Sequence, residues 1–308
     1  MRRLLLSAAL AVMTAMPGMA AADQSAEALT VCLNKDNKPF SYLTAGQAGG
    51  FDLAVAQAVA RRLNRPLEVR WYEKERRRRG PVSVKTSVLV ASGVCQLVGG
   101  FPLVQSSLER PAGGEETTLP PVDGMGEETR KKPLKGAQLF ASHGYHFAAV
   151  TPILGQRVSS EVRSLDDLQP YRIVNRPASS GDLIAMAYKK GKLLKNASHV
   201  NIDVDPLDAV AKGDADITIA ESHRFDMYKL DNPQTPLRAS GLMLPIGFNL
   251  GFVTTQEHAD LLRDVNAALE ALLKSGELDK AARSEKLTFI PPVQPYVRTG
   301  LGLEKMAE

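Results

Sequence analysis

Residues Asn175 to Asp182 read NRPASSGD and lie between a strand-like run, YRIV, and a helix-like segment. An arginine, two serines and a glycine at a helix start are the residue types that receive an anion. The first N–H groups of a helix lack intrahelical acceptors, hydroxyls add donors, and a guanidinium meets a carboxylate with two parallel bonds. Arg176, Ser179 and Ser180 are the residues of interest. The competing reading is a plain helix start capped by Ser180, with Arg176 in solvent.

Other residues can contribute to binding. Trp71, the sole tryptophan, ends LEVRWY, where its ring is either a stacking face for a planar ligand or a core side chain. The densest positive run, Arg76 to Arg79, follows; it is either a solvated face or partner patch, or it lends a guanidinium such as that of Arg76 to a pocket. His143 and His146 in SHGYHF are oddly spaced, so a strand puts them on opposite faces, and no metal site is expected. The sequence carries no Ser/His/Asp set at a strained elbow and no Gly-rich phosphate loop, which favours binding over catalysis.

These side chains need a frame. LTVCL is a β-rich run, followed by turn material, NKDNKPFSY. Asp52 is read as the cap of LAVAQAVARRL, whose apolar positions recur at helical spacing. LEVRWY alternates as a second strand, residues 82–92 look helical with Gly93 as terminator, and VCQLVGG supplies a third strand. Repeated strand, helix, strand order implies a mostly parallel sheet with helices on its faces. If the first and third strands are neighbours, Cys32 and Cys95 can meet across them.

The order breaks at residues 111–135, which are polar and rich in Pro and Gly, and so form a surface excursion or a lid. A second α/β unit follows, with strands at RIV, NIDVD and ADITIAE. The long amphipathic helix of residues 259–274 and the short one in SGELDKAAR meet no new sheet, so their place is back on the first unit. Two crossings then make a hinge. The expected fold is α/β with two lobes, residues 23–104 plus 250–308 forming lobe 1 and 105–249 lobe 2.

The 308 residues, 44% hydrophobic, suffice for two such domains. Residues 1–22, MRRLLLSAALAVMTAMPGMAAA, have the basic start, apolar run and small-residue end of a secretory signal peptide. A membrane anchor fits less well, because Pro17 and Gly18 interrupt a span already at the short limit. Removing Arg2 and Arg3 lowers the formal charge from +4 to +2, too little to imply nucleic acid. In an exported chain the only two cysteines, Cys32 and Cys95, favour a disulfide over independent buried thiols.

The order VCLNKDNKPFSY, GGFDLAVAQAVARRLNRPLEVRW, a small-residue strand, NRPASSGD, DADITIA, LGFVTT and KSGELDKAARS resembles extracellular solute-binding protein family 3, with the type 2 periplasmic binding fold. The resemblance spans nearly all of the mature chain, with residues 111–135 the poorest fit. Within the family, the cysteines of VCLNKDNKPFS and GVCQLVGG, together with WYEKERRRRG, resemble the branch associated with periplasmic quinoprotein dehydrogenases such as methanol dehydrogenase.

The resemblance implies roles. NRPASSGD would lie in the cleft and hold a ligand carboxylate, although Pro177 departs from the usual small polar pattern. Phe40 and Tyr42 would cover the ligand at the C-terminal edge of the sheet, or else pack the loop. Asp216 matches a position that often receives an amino group, and Glu221 can serve similarly. The arginine that usually binds an amino acid's carboxylate has no good counterpart in GGFPLVQSSLERP; Lys131 and its basic neighbours can replace it if the excursion folds over the cleft, or else sit in a solvated loop.

The function expected is a monomeric periplasmic binding protein that closes its lobes on a small anionic, carboxylate-bearing molecule and makes or breaks no bond. Pyrroloquinoline quinone (PQQ) is the best-fitting ligand, with an ABC-type importer as partner. The alternative is a non-transport accessory protein for a quinoprotein dehydrogenase. A third class, an enzyme such as the cyclohexadienyl dehydratase relatives, would need a cleft acid such as Glu221 to move a proton. No catalytic cofactor or metal is expected.

Overall fold

A computed structural model of the chain describes residues 27–74, 82–110, 116–201 and 203–306. The expected signal peptide lies outside the described residues. In chain order the first half contains β1 (Leu29–Asn34), α1 (Phe51–Arg62), β2 (Leu67–Tyr72), α2 (Val82–Ala91) and β3 (Leu97–Pro102). The long strand β4 (Phe140–Leu154) leads to β5 (Ile173–Asn175), α3 (Ser180–Ala187), β6 (Ala197–His199), α4 (Pro206–Lys212), β7 (Ile217–Glu221) and α5 (Ser222–Asp231). Strand β8 (Leu244–Thr254) then returns to α6 (Ala259–Lys274) and α7 (Glu277–Ser284).

The strands run in the order β6-β5-β7-β4-β8-β3-β1-β2. β1 is parallel to both β2 and β3, with Leu29 opposite Leu67 and Val31 opposite Leu97. It is apolar on both faces because helices cover both. One face packs Leu29, Val31 and Leu33 with the buried side chains of α1, α6 and α7; the other sets Cys32 and Val98 against Val88 and Leu89 of α2. With β1 and β3 adjacent, Cys32 and Cys95 meet and form a disulfide with a Cα–Cα separation of 5.7 Å.

Helix α6 buries Leu262, Val265, Ala268, Leu269 and Leu272, one face at helical spacing. Asp52 differs from expectation. Gly50 is the cap of α1, and Asp52 lies within the first turn, wholly buried. The carbonyls of Pro39 and Phe40 accept from the N–H groups of Phe51 and Asp52. The helix start is thereby satisfied by backbone, and the carboxyl turns inward.

The two halves are joined by β4 and β8, which are antiparallel and share register breaks between Leu244 and Gly247, between Leu250 and Gly251 and between Gly251 and Val253. At the first break Gly247 has φ 138°, and a Cβ there would stand 2.0 Å from the carbonyl oxygen of Ala148. Only glycine allows that approach.

The expected boundary at residue 105 lies elsewhere, because Leu119, Val122 and Leu139 join the cluster of Cys32 and Val88 in the first half. The passage between halves begins with β4. Likewise the C-terminal tail is not confined to lobe 1: Leu301, Leu303 and Met306 pack with Val150, Ile184 and Ile246 of the second half. Buried Asn249 guides the tail, its Oδ1 accepting from Val293 N at 2.9 Å and its Nδ2 donating to the carbonyls of Val293 and Tyr296 at 2.8 Å.

Candidate functional site: the edge between the halves

Strands β5, β6 and β7 are parallel, so their C-terminal ends share one edge, where α3, α4 and α5 begin. Ala178, at φ 57°, turns the chain into α3. Ser179, not Ser180, is the cap: its Oγ accepts from Asp182 N at 3.3 Å, and the Asp182 carboxylate accepts from Ala178 N at 2.8 Å. Ser180 is released from capping and donates to Glu221 Oε1 at 2.6 Å.

Two donors at this turn are unspent. Asn175 Oδ1 accepts from Ile219 N at 3.0 Å and Thr218 Oγ1 at 3.3 Å, but its Nδ2 is buried without a partner. Arg176 Nε is likewise buried and unpartnered, and its Nη2 makes one long bond of 3.4 Å to Val204 O. Arg176, Ser179, Asp205, Glu221 and Arg224 line one small pocket. Within it Asp205 is occupied, accepting from Leu207 N at 2.9 Å and from Arg224 Nη2 at 3.2 Å. Arg176 is therefore the guanidinium of this pocket whose Nε still lacks an acceptor. Buried polar groups without partners are rare in folded proteins, and an acceptor on a ligand in this pocket would satisfy Arg176 Nε.

Across from this edge stands Phe40 of the first half. Its ring centroid lies 4.9 Å from that of His223, at the start of α5, and 5.7 Å from that of His146 on β4. His146 is fully buried; its Nδ1 accepts a long bond from Ile290 N at 3.5 Å, so the proton is assigned to Nε2, which has no partner. Burial, reinforced by the nearby His223, lowers its pKa to about 3, so this ring is a neutral donor. Burial lowers His223 as well, with the Glu221 carboxylate opposing.

Below Phe40, Tyr145 of β4 donates to Asp52 Oδ1 at 2.8 Å and accepts from Gly100 N at 2.6 Å. Asp52 Oδ2 has no partner, and burial raises the carboxyl to about 7, with the tyrosine bond opposing. Gly100, at φ 67°, leaves room for it: a Cβ would lie 2.3 Å from Oδ2.

The sequence candidates thus divide. Arg176, Ser179, Ser180 and Glu221 come together, with Phe40 facing the same region through His223. Trp71 is 9% exposed and belongs to the core cluster of the first half, in keeping with the core alternative. Tyr42 lies over Gly49 in a small hairpin, with Lys38 Nζ 4.8 Å from its ring. Lys131 is exposed and paired with Glu127 at 2.7 Å, so the excursion brings it to no pocket with Arg176. Arg76 lies outside the described residues.

Asp216 is a correction. It sits at the opposite end of the strand from Glu221, five residues or about 16 Å away. Its oxygens are taken by Arg172 N at 3.0 Å, Arg172 Nη2 at 3.0 Å and Arg157 Nη1 at 3.1 Å. A carboxylate so bonded ties strand to loop and does not wait for a ligand.

His223 and Arg224, at this edge, are not singled out by the sequence alone, and there His146 comes up only as a metal-ligand candidate. His223 carries a usable signal: it follows β7 by two residues, and ligands sit beyond the carboxyl ends of such strands. His146 carries none, since its meeting with Phe40 spans more than a hundred residues of chain. Among the described residues no group of three or more metal-binding side chains occurs, and no helix is long and apolar enough to cross a membrane.

No protein-family model matches the sequence, and no curated protein matches it. Solved structures do. The L-cystine solute receptor of Neisseria gonorrhoeae, unliganded and open, is 17% identical with a TM-score of 0.61, over 87% of this chain and 96% of that one. The second substrate-binding domain of Lactococcus lactis GlnP, also open, is 14% identical with a TM-score of 0.60, over 85% and 95%. An ancestral cyclohexadienyl dehydratase is 21% identical with a TM-score of 0.55, over 84% and 92%. At such identities the likeness is one of fold, and the fold is the two-lobed α/β architecture of the type 2 periplasmic binding proteins.

Proposed function

We propose that the protein is a periplasmic solute-binding protein that closes its halves on a small carboxylate-bearing molecule, with no covalent chemistry. The observation that carries this reading is the buried Arg176 Nε, which lacks an acceptor in the pocket it lines with Ser179, Glu221 and Arg224. A carboxylate supplies the acceptor it lacks, and charge-assisted bonds of this kind are strong. The similar solved structures include a solute receptor and the second substrate-binding domain of a putative amino acid ABC transporter from Streptococcus pneumoniae, which supports an ABC-type importer as the partner.

PQQ is the solute to test first. Its three carboxylates need donors, and its flat ring system suits the Phe40 and His223 rings. Calorimetric titration of refolded, ligand-free mature protein with PQQ, glutamate, histidine and a small dicarboxylic acid tests both levels. One-to-one binding selective for PQQ is expected. Selective binding of a control acid keeps the carboxylate reading and removes PQQ. No heat and no thermal stabilisation with any of them removes both, and a pull-down with a quinoprotein dehydrogenase then tests the accessory role.

A further inference from the structure

Arg298 is held by several segments where the chain passes between the halves. Its N–H donates to Leu103 O at 3.0 Å and its carbonyl accepts from Gln105 N at 2.8 Å, both in the first half. Its guanidinium donates through Nη1 to Pro245 O at 3.1 Å and Gly247 O at 3.0 Å on β8, and stands 5.5 Å from the Phe147 ring centroid on β4.

The tail on either side of Arg298 reaches the second half. Upstream, Thr288 donates through N at 2.7 Å and Oγ1 at 2.9 Å to buried Asp226 of α5. Downstream, Leu301 O accepts from Gly247 N at 3.0 Å, and Leu301, Leu303 and Met306 enter the second half's core. The tail is thus fastened to the second half at both ends and to the first half in its middle.

The location matters. Pro245 and Gly247 lie in the register break of β8 against β4, the place where the joining strands can bend. Hinge motion concentrates dihedral change in a few such residues. A guanidinium bonded to both carbonyls opposes their reorientation.

We propose that Arg298, with residues 299–306, is a hinge latch that limits the angle between the halves and so sets the balance between open and closed arrangements. Arg298 is a positioning residue in this scheme; it acts through β8 and touches no solute. The inference rests on the hinged fold and is independent of which solute is bound.

Distance measurement by paired spin labels tests it. Gln57→Cys on α1 and Lys195→Cys, both exposed, place one label on each half of the full mature chain, while Cys32 and Cys95 stay in their disulfide. Without solute, the parent should give one narrow distance distribution. Arg298→Ala, and a chain ending at Gly300, should broaden it and add a displaced population. Arg298→Gln keeps much of the stem and serves where either fails to fold. Unchanged distances in the arginine variants, even with a lower melting temperature, would reduce the contact to a purely structural one and overturn the latch.

Discussion

Ser180 donates its hydroxyl to Glu221 across 2.6 Å, joining the start of α3 to the end of β7. The hydroxyl is therefore already spent, and the Nε of Arg176, one turn of chain earlier, is not. Arg176→Ala should weaken binding of an acidic solute by about 1.5–3 kcal/mol, roughly tenfold to hundredfold. Ser180→Ala should cost less. Titration calorimetry on the two variants checks the order, and equal or reversed losses would move the anion site away from Arg176.

Asp216 should behave as a structural residue. Asp216→Asn removes acceptor charge from Arg157 and Arg172 and is expected to destabilise by about 1–3 kcal/mol. Solute affinity should stay unchanged, because the strand places this residue at the far end from Glu221. A selective loss of affinity at unchanged melting temperature would return Asp216 to the site.

The buried carboxyl of Asp52, raised from 3.8 to about 7, gives stability a defined pH dependence. The native state holds this proton more tightly than the unfolded state. Its contribution is therefore full below pH 3.8 and is lost as the pH rises to about 7. At about 1.4 kcal/mol per pH unit, up to about 4 kcal/mol is involved. Asp52→Asn should remove this slope in denaturant titrations across that window; a variant retaining the parent slope would place the titration on another group.

His146 acts with the opposite sign. Its pKa falls from 6.5 to about 3, so the native state resists protonation, and its contribution is full above pH 6.5 and lost as the pH falls towards 3. His146→Gln should flatten the acid limb of the stability curve while leaving the Asp52 slope in place. Nuclear magnetic resonance of the imidazole can follow the same titration directly, and an ordinary value near 6.5 would contradict the burial argument.

The disulfide closes a sequence separation of 63 residues inside the first half. Its loss in Cys32→Ala/Cys95→Ala should cost about 2–4 kcal/mol, read from denaturant unfolding. Mass spectrometry of the oxidised mature protein should show two hydrogens fewer than the reduced form; equal masses would mean free thiols.

Local sequence determined most of the elements and their order, although the strand expected at NIDVD lies at Ala197–His199 instead. The periodicity of LAVAQAVARRL and of residues 259–274, the apolar strand at LTVCL and the helix start in NRPASSGD all follow from backbone geometry, which a few neighbouring residues express. Parallel strand order also made the Cys32 and Cys95 pairing legible. Tertiary structure decided the rest. Asp216 and Glu221 are both acids near the two ends of one strand, and only the direction of β7 relative to the edge separates the carboxylate tied to Arg157 and Arg172 from the one beside Ser180 at the candidate site. Which serine caps α3, how His146 and His223 reach Phe40, and where the tail fastens are set by packing between segments distant in sequence. No local pattern encodes such contacts, because each side chain's partner is chosen by how whole elements settle against one another.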